Sequence, residues 1–302
     1  MKDSLSRGIQ GTLAALLLAG TGAWSRAQGE RTPKDTPGFA PVPLAVWTVT
    51  PSDFPPIDVY DDFEGTTLGK LWATWRVTDG AVQIQSAIVR AGYGAVRITL
   101  QPHDFFEAGR NGDLGTERDE LAEAAELYSG EGRPYEFAWS MYLPADFPIV
   151  PVRLIVAQWK QMAANSSAPE FDDRPVLAVG YVGGVLRITQ NRARKSPAVL
   201  YRETRDLRGR WLDLRFQVRL TPQSTGFIKA WIDGRQVVDY AGPTANPENP
   251  GTGYASLSQY YFDMGLDRDV MAQPMMIYLD EYRKRQLRED ELARPARVAI
   301  SR

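Results

Sequence analysis

Two residue pairs along the chain have the types and spacing to act on a negatively charged sugar. Arg118 and Glu120 form the first pair, and in a strand both would project from one face, because alternate residues share a face. The planar guanidinium of Arg118 could grip a carboxylate while Glu120 holds it in place. The alternative is an ordinary solvated ion pair between neighbouring strands.

Gln158 and Lys160 repeat this spacing further along the chain. Gln158 can donate a hydrogen bond to a carboxylate, and Lys160 can neutralise one or act as a base. A role as base requires the pKa of Lys160 to fall several units from its ordinary value of about 10.4, through burial or neighbouring cations. The alternative is an ordinary surface lysine.

Three further side chains could stack on a sugar ring or exchange a proton. Tyr260 and Tyr261 are adjacent, so in a strand one faces a cleft and the other packs inside. We favour Tyr261 for stacking or proton transfer and keep Tyr260 as a substrate-binding candidate; the alternative is a core aromatic. His103 is the single histidine of the chain, and imidazole titrates near neutrality. Its alternative is a solvated loop residue.

Strands are the elements that must position these side chains. Residues 212–220 alternate apolar and polar side chains, which is the period of a strand with one buried and one solvated face. Residues 222–226 turn into a second strand, 227–232, and Asp233-Gly234 closes a hairpin back to 236–240, because glycine tolerates the positive φ of tight turns. A long antiparallel sheet with arginines and aromatic residues on its polar face suits the floor of a sugar-binding cleft.

Short strands separated by Gly, Pro and Asp turns continue through the rest of the chain. This pattern predicts an all-β fold, a sandwich of two antiparallel sheets or jelly roll. Helical propensity is high only in 120–127 outside the N-terminus, and that segment overlaps a predicted strand. The predicted strands, beside those of the hairpin, are 59–63, 71–77, 81–84, 95–100, 118–121, 135–143, 154–158, 176–180, 186–190, 260–266 and 275–282.

Composition narrows the class of protein. The chain of 302 residues has no cysteine, which rules out disulfides, a thiolate nucleophile and cysteine–metal sites. Its formal net charge of −2 and isoelectric point of about 5.7 give no global basic field for nucleic acid. The length suits one large all-β domain or two small ones. We expect a monomer.

The N-terminal region has the features of an export signal. Lys2 and Arg7 supply positive charge, residues 13–19 a short apolar core, and 25–27 (Ser-Arg-Ala) a cleavage site. The alternative is a membrane anchor or a helix of the fold. We expect a signal peptide over 1–27, a proline-rich linker over 28–56, the domain over 57–285 and a charged tail over 286–302. The mature protein would be secreted or periplasmic, with no membrane attachment.

Several local patterns together resemble a known family. Residues 60–65 (Tyr-Asp-Asp-Phe-Glu-Gly) with Trp72 resemble the opening of concanavalin-like jelly rolls. Residues 116–121 resemble the Arg-x-Glu strand of jelly-roll polysaccharide lyases, 157–160 their Gln-x-His strand and 260–267 their Tyr-Phe-Lys-x-Gly-x-Tyr strand. The hairpin 226–244 and the closing segment 278–283 match the same architecture. Over 57–285 the chain thus resembles the heparin lyase I and glucuronan lyase-like enzymes, and more distantly the alginate lyases.

The chain departs from the family pattern at three positions. Lys160 stands where the family has histidine, Asp267 where it has the catalytic tyrosine, and Asp263 where it has lysine. Either the catalytic set is rearranged or the activity of this member has changed.

The resemblance implies a lyase that cleaves an anionic, uronic-acid-containing polysaccharide such as glucuronan, alginate or a heparin-like chain by β-elimination. The enzyme would neutralise the C6 carboxylate, remove the C5 proton and protonate O4. The candidates for these steps are Arg118, Glu120, Gln158, Lys160, Tyr261 and His103. Arg268 and Tyr260 are candidates for further substrate ligands. No organic cofactor is expected.

The resemblance also suggests a structural calcium ion. Jelly rolls of this kind bring their ends together, so Glu64 near the first strand and Asp280 on the last could be neighbours. Oxygen ligands of this type suit Ca²⁺.

Two other functions compete with the lyase. A jelly-roll glycoside hydrolase needs two carboxylates flanking the glycosidic bond. Glu117, Asp119 and Glu123 suggest the Glu-x-Asp-x-x-Glu strand of such enzymes, although the spacing from Asp119 to Glu123 is one residue too long. A non-catalytic carbohydrate-binding protein would use tryptophan and tyrosine platforms instead.

Overall fold

Short strands make up nearly all of the regular structure. A computed structural model describes residues 56–107, 115–162, 174–191, 196–246 and 259–292. Within these ranges the elements are β1 (Asp58–Asp61), β2 (Trp72–Ala73), β3 (Val82–Gln85), β4 (Ala95–Leu100), β5 (Thr116–Glu123), β6 (Ser129–Gly130), β7 (Pro134–Leu143), β8 (Leu154–Met162), β9 (Leu177–Val182), β10 (Val185–Gln190), β11 (Ala198–Glu203), β12 (Arg210–Arg219), β13 (Phe227–Ile232), β14 (Arg235–Ala241), β15 (Gln259–Asp269), β16 (Met275–Gln286) and the helix α1 (Glu289–Leu292).

The strands form two antiparallel sheets. Sheet I has the order β14-β13-β12-β7-β16-β4-β3, and β1 also pairs with β16. Sheet II has the order β11-β10-β9-β8-β15-β5-β2, and β6 also pairs with β15. Neighbours distant in sequence, such as β8 and β15, lie side by side, as in a jelly roll. The predicted sandwich of two antiparallel sheets is confirmed.

Aromatic side chains from both sheets meet in the core. Phe137 and Trp139 of sheet I pack against Trp159 and Phe262 of sheet II, with ring centroids 5.4 Å apart for Phe137–Trp159 and 5.2 Å for Trp139–Phe262. All four side chains are buried. Because side chains alternate along a strand, the residues on either side of Trp159 and Phe262 point outward from sheet II.

A buried ion pair also links the sheets. Lys284 of β16 and Glu123 of β5 are fully buried, and Nζ lies 2.8 Å from Oε2. The Tyr282 hydroxyl donates to the other oxygen of Glu123. Charged groups are buried only when hydrogen-bonded partners of opposite charge compensate the loss of water, so this contact holds β16 in its position over β5.

The hairpin expected from the sequence is present. Burial alternates along β12, and Asp233 and Gly234 have φ of 49° and 75°, the left-handed conformations of a tight two-residue turn. The segment with competing propensities forms strand β5 as far as Glu123, followed by one 3₁₀ turn at Ala125–Leu127. Strand pairing with β15 prevails over local helix propensity there.

The predicted strand 71–77 is wrong for most of its length. Pairing ends after Ala73, and a turn follows in which the Val77 amide donates to the Thr74 carbonyl. The predicted signal peptide and nearly all of the linker, as well as the last ten residues of the charged tail, lie outside the described residues. None of the helices in the described ranges has the length and apolar character needed to cross a bilayer.

Candidate active site

The outward face of sheet II collects polar side chains from three neighbouring strands, β8, β15 and β5. Lys160 of β8 is directly opposite Tyr261 of β15, and Gln158 is opposite Asp263. Residues paired in this way across antiparallel strands project from the same face. With two more residues of β5 and one from a turn they form the site cluster, which comprises Arg76, Arg118, Glu120, Gln158, Lys160, Tyr261 and Asp263.

A glycine lets β5 lie close to β15 beside this cluster. Gly265 is opposite Glu120 and has φ of 151°. A Cβ at this position would lie 2.4 Å from the Asp119 carbonyl oxygen, so no other residue fits without moving β5. The close approach sets Glu120 beside Asp263, two positions along β15.

Arg76 reaches the centre of the cluster from the turn after β2. Its Nη1 donates to Asp263 Oδ2 at 2.9 Å and lies 3.9 Å from Glu120 Oε2, and its Nη2 donates to the Tyr261 hydroxyl at 3.4 Å. The guanidinium carbon also stacks 4.0 Å from the ring centroid of Trp75, which is half exposed. The sequence reasoning missed Arg76, because it assigned this segment to a strand.

The two carboxyl groups beneath Arg76 titrate far from their ordinary range. Burial raises the pKa of Asp263 to about 7, although Arg76 and Lys160 oppose the rise. Burial and then the charge of Asp263 raise the pKa of Glu120 to about 8. Near neutral pH these carboxyls therefore hold protons that exposed acids would have lost.

Lys160 and Tyr261 have pKa values displaced in opposite directions. Burial, followed by the positive charges of Arg76 and Arg118, lowers the pKa of Lys160. Burial raises the pKa of Tyr261 to about 12. One of these facing groups is thus shifted toward a neutral amine and the other toward a neutral phenol.

Gln158 and Arg118 are held by acidic partners. Gln158 Nε2 donates to Glu120 Oε1 at 2.6 Å, and Arg118 Nη2 donates to Glu107 Oε2 at 2.7 Å. Glu120 therefore orients Gln158 rather than Arg118, which differs from the pairing suggested by the spacing. Glu107 is largely exposed, so its contact with Arg118 is open to exchange with another carboxylate.

Asp267, at the position of the family tyrosine, is engaged in an ion pair. Its Oδ1 lies 2.9 Å from Arg153 Nη2, and Arg153 also contacts Asp269. Asp267 lies opposite Arg118 in the register of β15 and β5. It therefore places a negative charge, balanced by Arg153, at the edge of the site cluster.

Two predicted substrate ligands face the interior, which corrects the sequence prediction. Arg268 is fully buried, with Nη2 2.8 Å from Glu117 Oε2 and Nη1 donating to the Gln273 carbonyl at 2.6 Å. Tyr260 is fully buried in the hydrophobic core. Neither side chain reaches the face that carries Lys160.

His103 lies in an exposed turn after β4. Its backbone amide donates to Glu117 Oε1 at 2.6 Å, and its φ of 71° is left-handed. Its ring contacts Phe106, with centroids 6.3 Å apart. These contacts, all within the described residues, do not join His103 to the site cluster.

Glu64 and Asp280, the predicted calcium ligands, each accept hydrogen bonds from backbone amides of one loop. Glu64 Oε1 accepts hydrogen bonds from the amides of Tyr93 and Gly94 at 2.7 and 3.1 Å, and Asp280 Oδ2 accepts one from the Arg90 amide at 2.8 Å. Both carboxylates thus hold the loop between β3 and β4 through N–H donors. Elsewhere in the part of the chain that the structure describes, no group of three or more acidic or histidine residues could hold a metal ion.

The carboxylates suggested for a glycoside hydrolase also point inward. Glu117 pairs with Arg268, Asp119 accepts the Thr78 amide at 2.6 Å, and Glu123 pairs with Lys284. All three are fully buried. The hydrolase alternative therefore loses the residues on which it rested.

Comparisons with known proteins agree with this architecture. The structure is similar to the endo-β-1,4-glucuronan lyase of the fungus Trichoderma reesei, with a TM-score of 0.58 and 17% identity over 76% of this chain and 95% of that one. Alginate lyase A1-II' and the cellulose-induced protein Cip1 are also similar, each at 14% identity. Their TM-scores are 0.47 and 0.48, over 70% and 75% of this chain and 83% and 96% of theirs.

A search of the curated proteins finds no match to this chain. The family model described as polysaccharide lyase matches residues 60–283, which include β2 to β15 and every residue of the site cluster. The match covers most of the chain, so this protein belongs to the polysaccharide lyase family.

Proposed function

We propose that this polysaccharide lyase cleaves a uronic-acid-containing polysaccharide by β-elimination at the site cluster. One observation carries the proposal: Lys160 and Tyr261 are directly opposite each other on neighbouring strands, beside two arginines, with pKa values shifted in opposite directions. An amine whose pKa is lowered, facing a phenol that keeps its proton, suits proton removal by the first group and proton donation by the second.

The carboxylate of the uronic acid must be neutralised before its C5 proton can leave. Arg118 and Gln158 are the groups we assign to this step, since both donate toward the outward face from strands adjoining Tyr261. Glu107 accepts the hydrogen bond from Arg118 in the free protein, and a substrate carboxylate would replace it. Stabilisation of the enolate that develops on this carboxylate is expected to lower the barrier most.

Lys160 then takes the C5 proton, and Tyr261 gives its phenolic proton to O4 as the C4–O4 bond breaks. The electron pair of the C5–H bond forms the new C4–C5 double bond. Lys160 finishes as an ammonium and Tyr261 as a phenolate, and exchange with water restores both. Arg76 supports the second step, because its Nη2 donates to the phenolic oxygen and stabilises the phenolate.

We infer that the substrate is a polyuronate, with glucuronan, alginate and heparin as the polymers to compare. The similarity in fold to a glucuronan lyase supports including glucuronan first. Export from the cell fits this substrate class, because long polysaccharides do not enter cells. Mass spectrometry of the protein recovered from the periplasm or medium should give an N-terminus after Ala27.

The direct test is to incubate the purified protein with each polymer and to follow ultraviolet absorbance together with reducing ends. β-Elimination yields a C4–C5 unsaturated product that absorbs in the ultraviolet, and each cleavage also gives one reducing end. Reducing ends without absorbance would establish hydrolysis instead. Binding without new ends would establish a carbohydrate-binding protein.

A further inference from the structure

A second polar depression lies on the opposite side of the molecule from the site cluster. It is a cavity of about 420 Å³ on the outward face of sheet I, lined by residues of β7, β12, β13 and β16 and by the loop between β3 and β4. Its volume falls within the range of about 300–1,000 Å³ typical of small-ligand sites. The proposed lyase chemistry uses none of its residues.

Small side chains on β7 create the floor. Trp139 points into the core, so its neighbours Ala138 and Ser140 point outward beneath the opening. Larger side chains surround them: Arg215 of β12 stacks on Trp231 of β13, with the guanidinium carbon 3.9 Å from the ring centroid. This stack forms one wall.

An ion pair forms another part of the lining. Arg90 donates through Nε and Nη2 to the two oxygens of Asp213, at 3.0 and 2.9 Å, and the Ser140 hydroxyl donates to Asp213 at 2.8 Å. Arg90 and Asp213 each remain close to half exposed. The pair therefore presents hydrogen-bonding edges to solvent at the cavity.

Glu281 contributes a carboxylate in an unusual backbone conformation. Its φ is 56°, which is costly for a residue with a side chain and is found where surrounding structure or function maintains it. One of its oxygens accepts the Tyr60 hydroxyl at 2.8 Å, and no donor among the described residues contacts the other. Tyr60 itself is half exposed, which leaves an aromatic ring beside this carboxylate.

The charges of the lining cancel. Among the lining residues, Arg90 is paired with Asp213, and the charge of Arg215, which lies 3.5 Å from Glu136 at the rim, stands against that of Glu281. In the site cluster, by contrast, cations surround carboxyls that hold protons near neutral pH. A net anion gains little here, whereas a ligand with many hydroxyl groups can donate to carboxylates and accept from guanidinium groups at once. We propose that this cavity binds a neutral sugar unit, as a second saccharide site separate from the lyase cleft.

The test uses the full chain carrying Lys160→Ala, titrated by calorimetry with neutral hexasaccharides of β-1,4-glucan, β-1,4-xylan and β-1,4-mannan. At least one should bind saturably. Ala138→Phe, which fills the floor without entering the core, should weaken that binding about tenfold or more, equivalent to about 1.4 kcal/mol. Glu281→Gln, which preserves shape, should also weaken it. Asp239→Asn on β14, exposed and outside the cavity, is the matched control and should bind normally.

Three results would overturn the proposal. The first is that no neutral hexasaccharide binds saturably, and the second is that affinity is unchanged in both Ala138→Phe and Glu281→Gln. The third is that a glucuronan hexasaccharide binds more tightly than every neutral one at a site that Ala138→Phe destroys. Thermal unfolding of each variant establishes that it is folded. Because neutral sugars bind without being cleaved, this outcome is independent of whether the protein is a β-eliminating lyase.

Discussion

Burial and neighbouring charges shift the pKa of Lys160 in both directions. Burial and the charges of Arg76 and Arg118 favour the neutral amine, while Glu120 and Asp263 favour the ammonium, and the net effect lowers the pKa. The same position could serve either as a base or as a fixed positive charge. A substitution that keeps the charge but cannot release a proton distinguishes these roles.

Lys160→Arg and Lys160→Ala should both lower kcat by about 10²–10⁴-fold, the contribution typical of a general base. Arginine stays protonated at working pH and cannot take the C5 proton. Steady-state rates from ultraviolet absorbance measure the effect, with Lys229→Ala on β13 as a control expected to retain activity. Near-normal activity of Lys160→Arg would show that Lys160 only neutralises charge.

Arg76 should set the pH dependence of the reaction. Lys160 acts as base only above its pKa, so kcat/KM should rise with pH through that value. Arg76→Gln removes a cation that lowers this pKa, and the rising limb should therefore move to higher pH. The pH–rate profiles of wild type and variant provide the measurement, with Arg97→Gln on β4 as control. An unshifted limb with a lower rate would show that Arg76 does not set the pKa of Lys160 and affects the reaction through its contact with Tyr261 instead.

At the scale of the strand, Gly265 allows β15 to approach β5. Gly265→Ala should lower the free energy of unfolding by more than its backbone conformation alone explains, because Cβ would overlap the Asp119 carbonyl. Gly80→Ala is the control for a glycine of positive φ in open space: its φ is 82° and no atom lies within 4 Å of the added carbon, so only a backbone cost of about 1–2 kcal/mol applies. Urea unfolding compares the two, and equal losses would contradict the close approach.

Strand alternation explains which site residues the sequence could identify. Alternation placed Gln158 and Lys160 on one face and separated Tyr260 from Tyr261, as the structure has them. The same rule would have excluded Arg268, which is seven residues from Tyr261 and therefore faces the other side of an uninterrupted strand. The error came from judging Arg268 by its neighbour in the motif rather than by its position along the strand.

Arg76 could not be located in this way. It lies on a turn, where no period fixes the direction of a side chain, and it reaches Asp263 through contacts between residues 187 positions apart. The only feature of the local sequence that marks it is its neighbour Trp75, on which the guanidinium stacks. Similarly, the sequence suggested Glu64 and Asp280 as calcium ligands, but it does not reveal that one oxygen of each accepts hydrogen bonds from backbone amides of the loop between β3 and β4.

At the scale of the whole domain, buried carboxyls make stability depend on pH in an unusual direction. Burial raises the pKa of Asp119 and Asp263 to about 7 and that of Glu120 to about 8, whereas unfolded carboxyls titrate at about 4. At pH values between about 4 and about 8, the folded protein therefore holds more protons than the unfolded chain. By linkage, the free energy of unfolding must fall as pH rises through this window.

The stabilising contribution of these groups should be complete below about pH 4 and lost by about pH 8, where both states are ionised. The hydrogen bonds from Arg90 lower the pKa of Asp213, which makes the free energy of unfolding rise with pH, but only below the ordinary titration range of an aspartate. This contribution therefore does not mask the decline expected at higher pH. Urea unfolding midpoints measured between about pH 4 and pH 8 should decline as pH rises. The double variant Glu120→Gln/Asp263→Asn should flatten this decline, whereas the control Asp239→Asn should leave it unchanged. A midpoint that rises with pH, or an equal slope in the double variant, would mean that these carboxyls are ionised in the folded protein, and their charges would then cancel those of the two arginines of the site cluster that face a polyuronate.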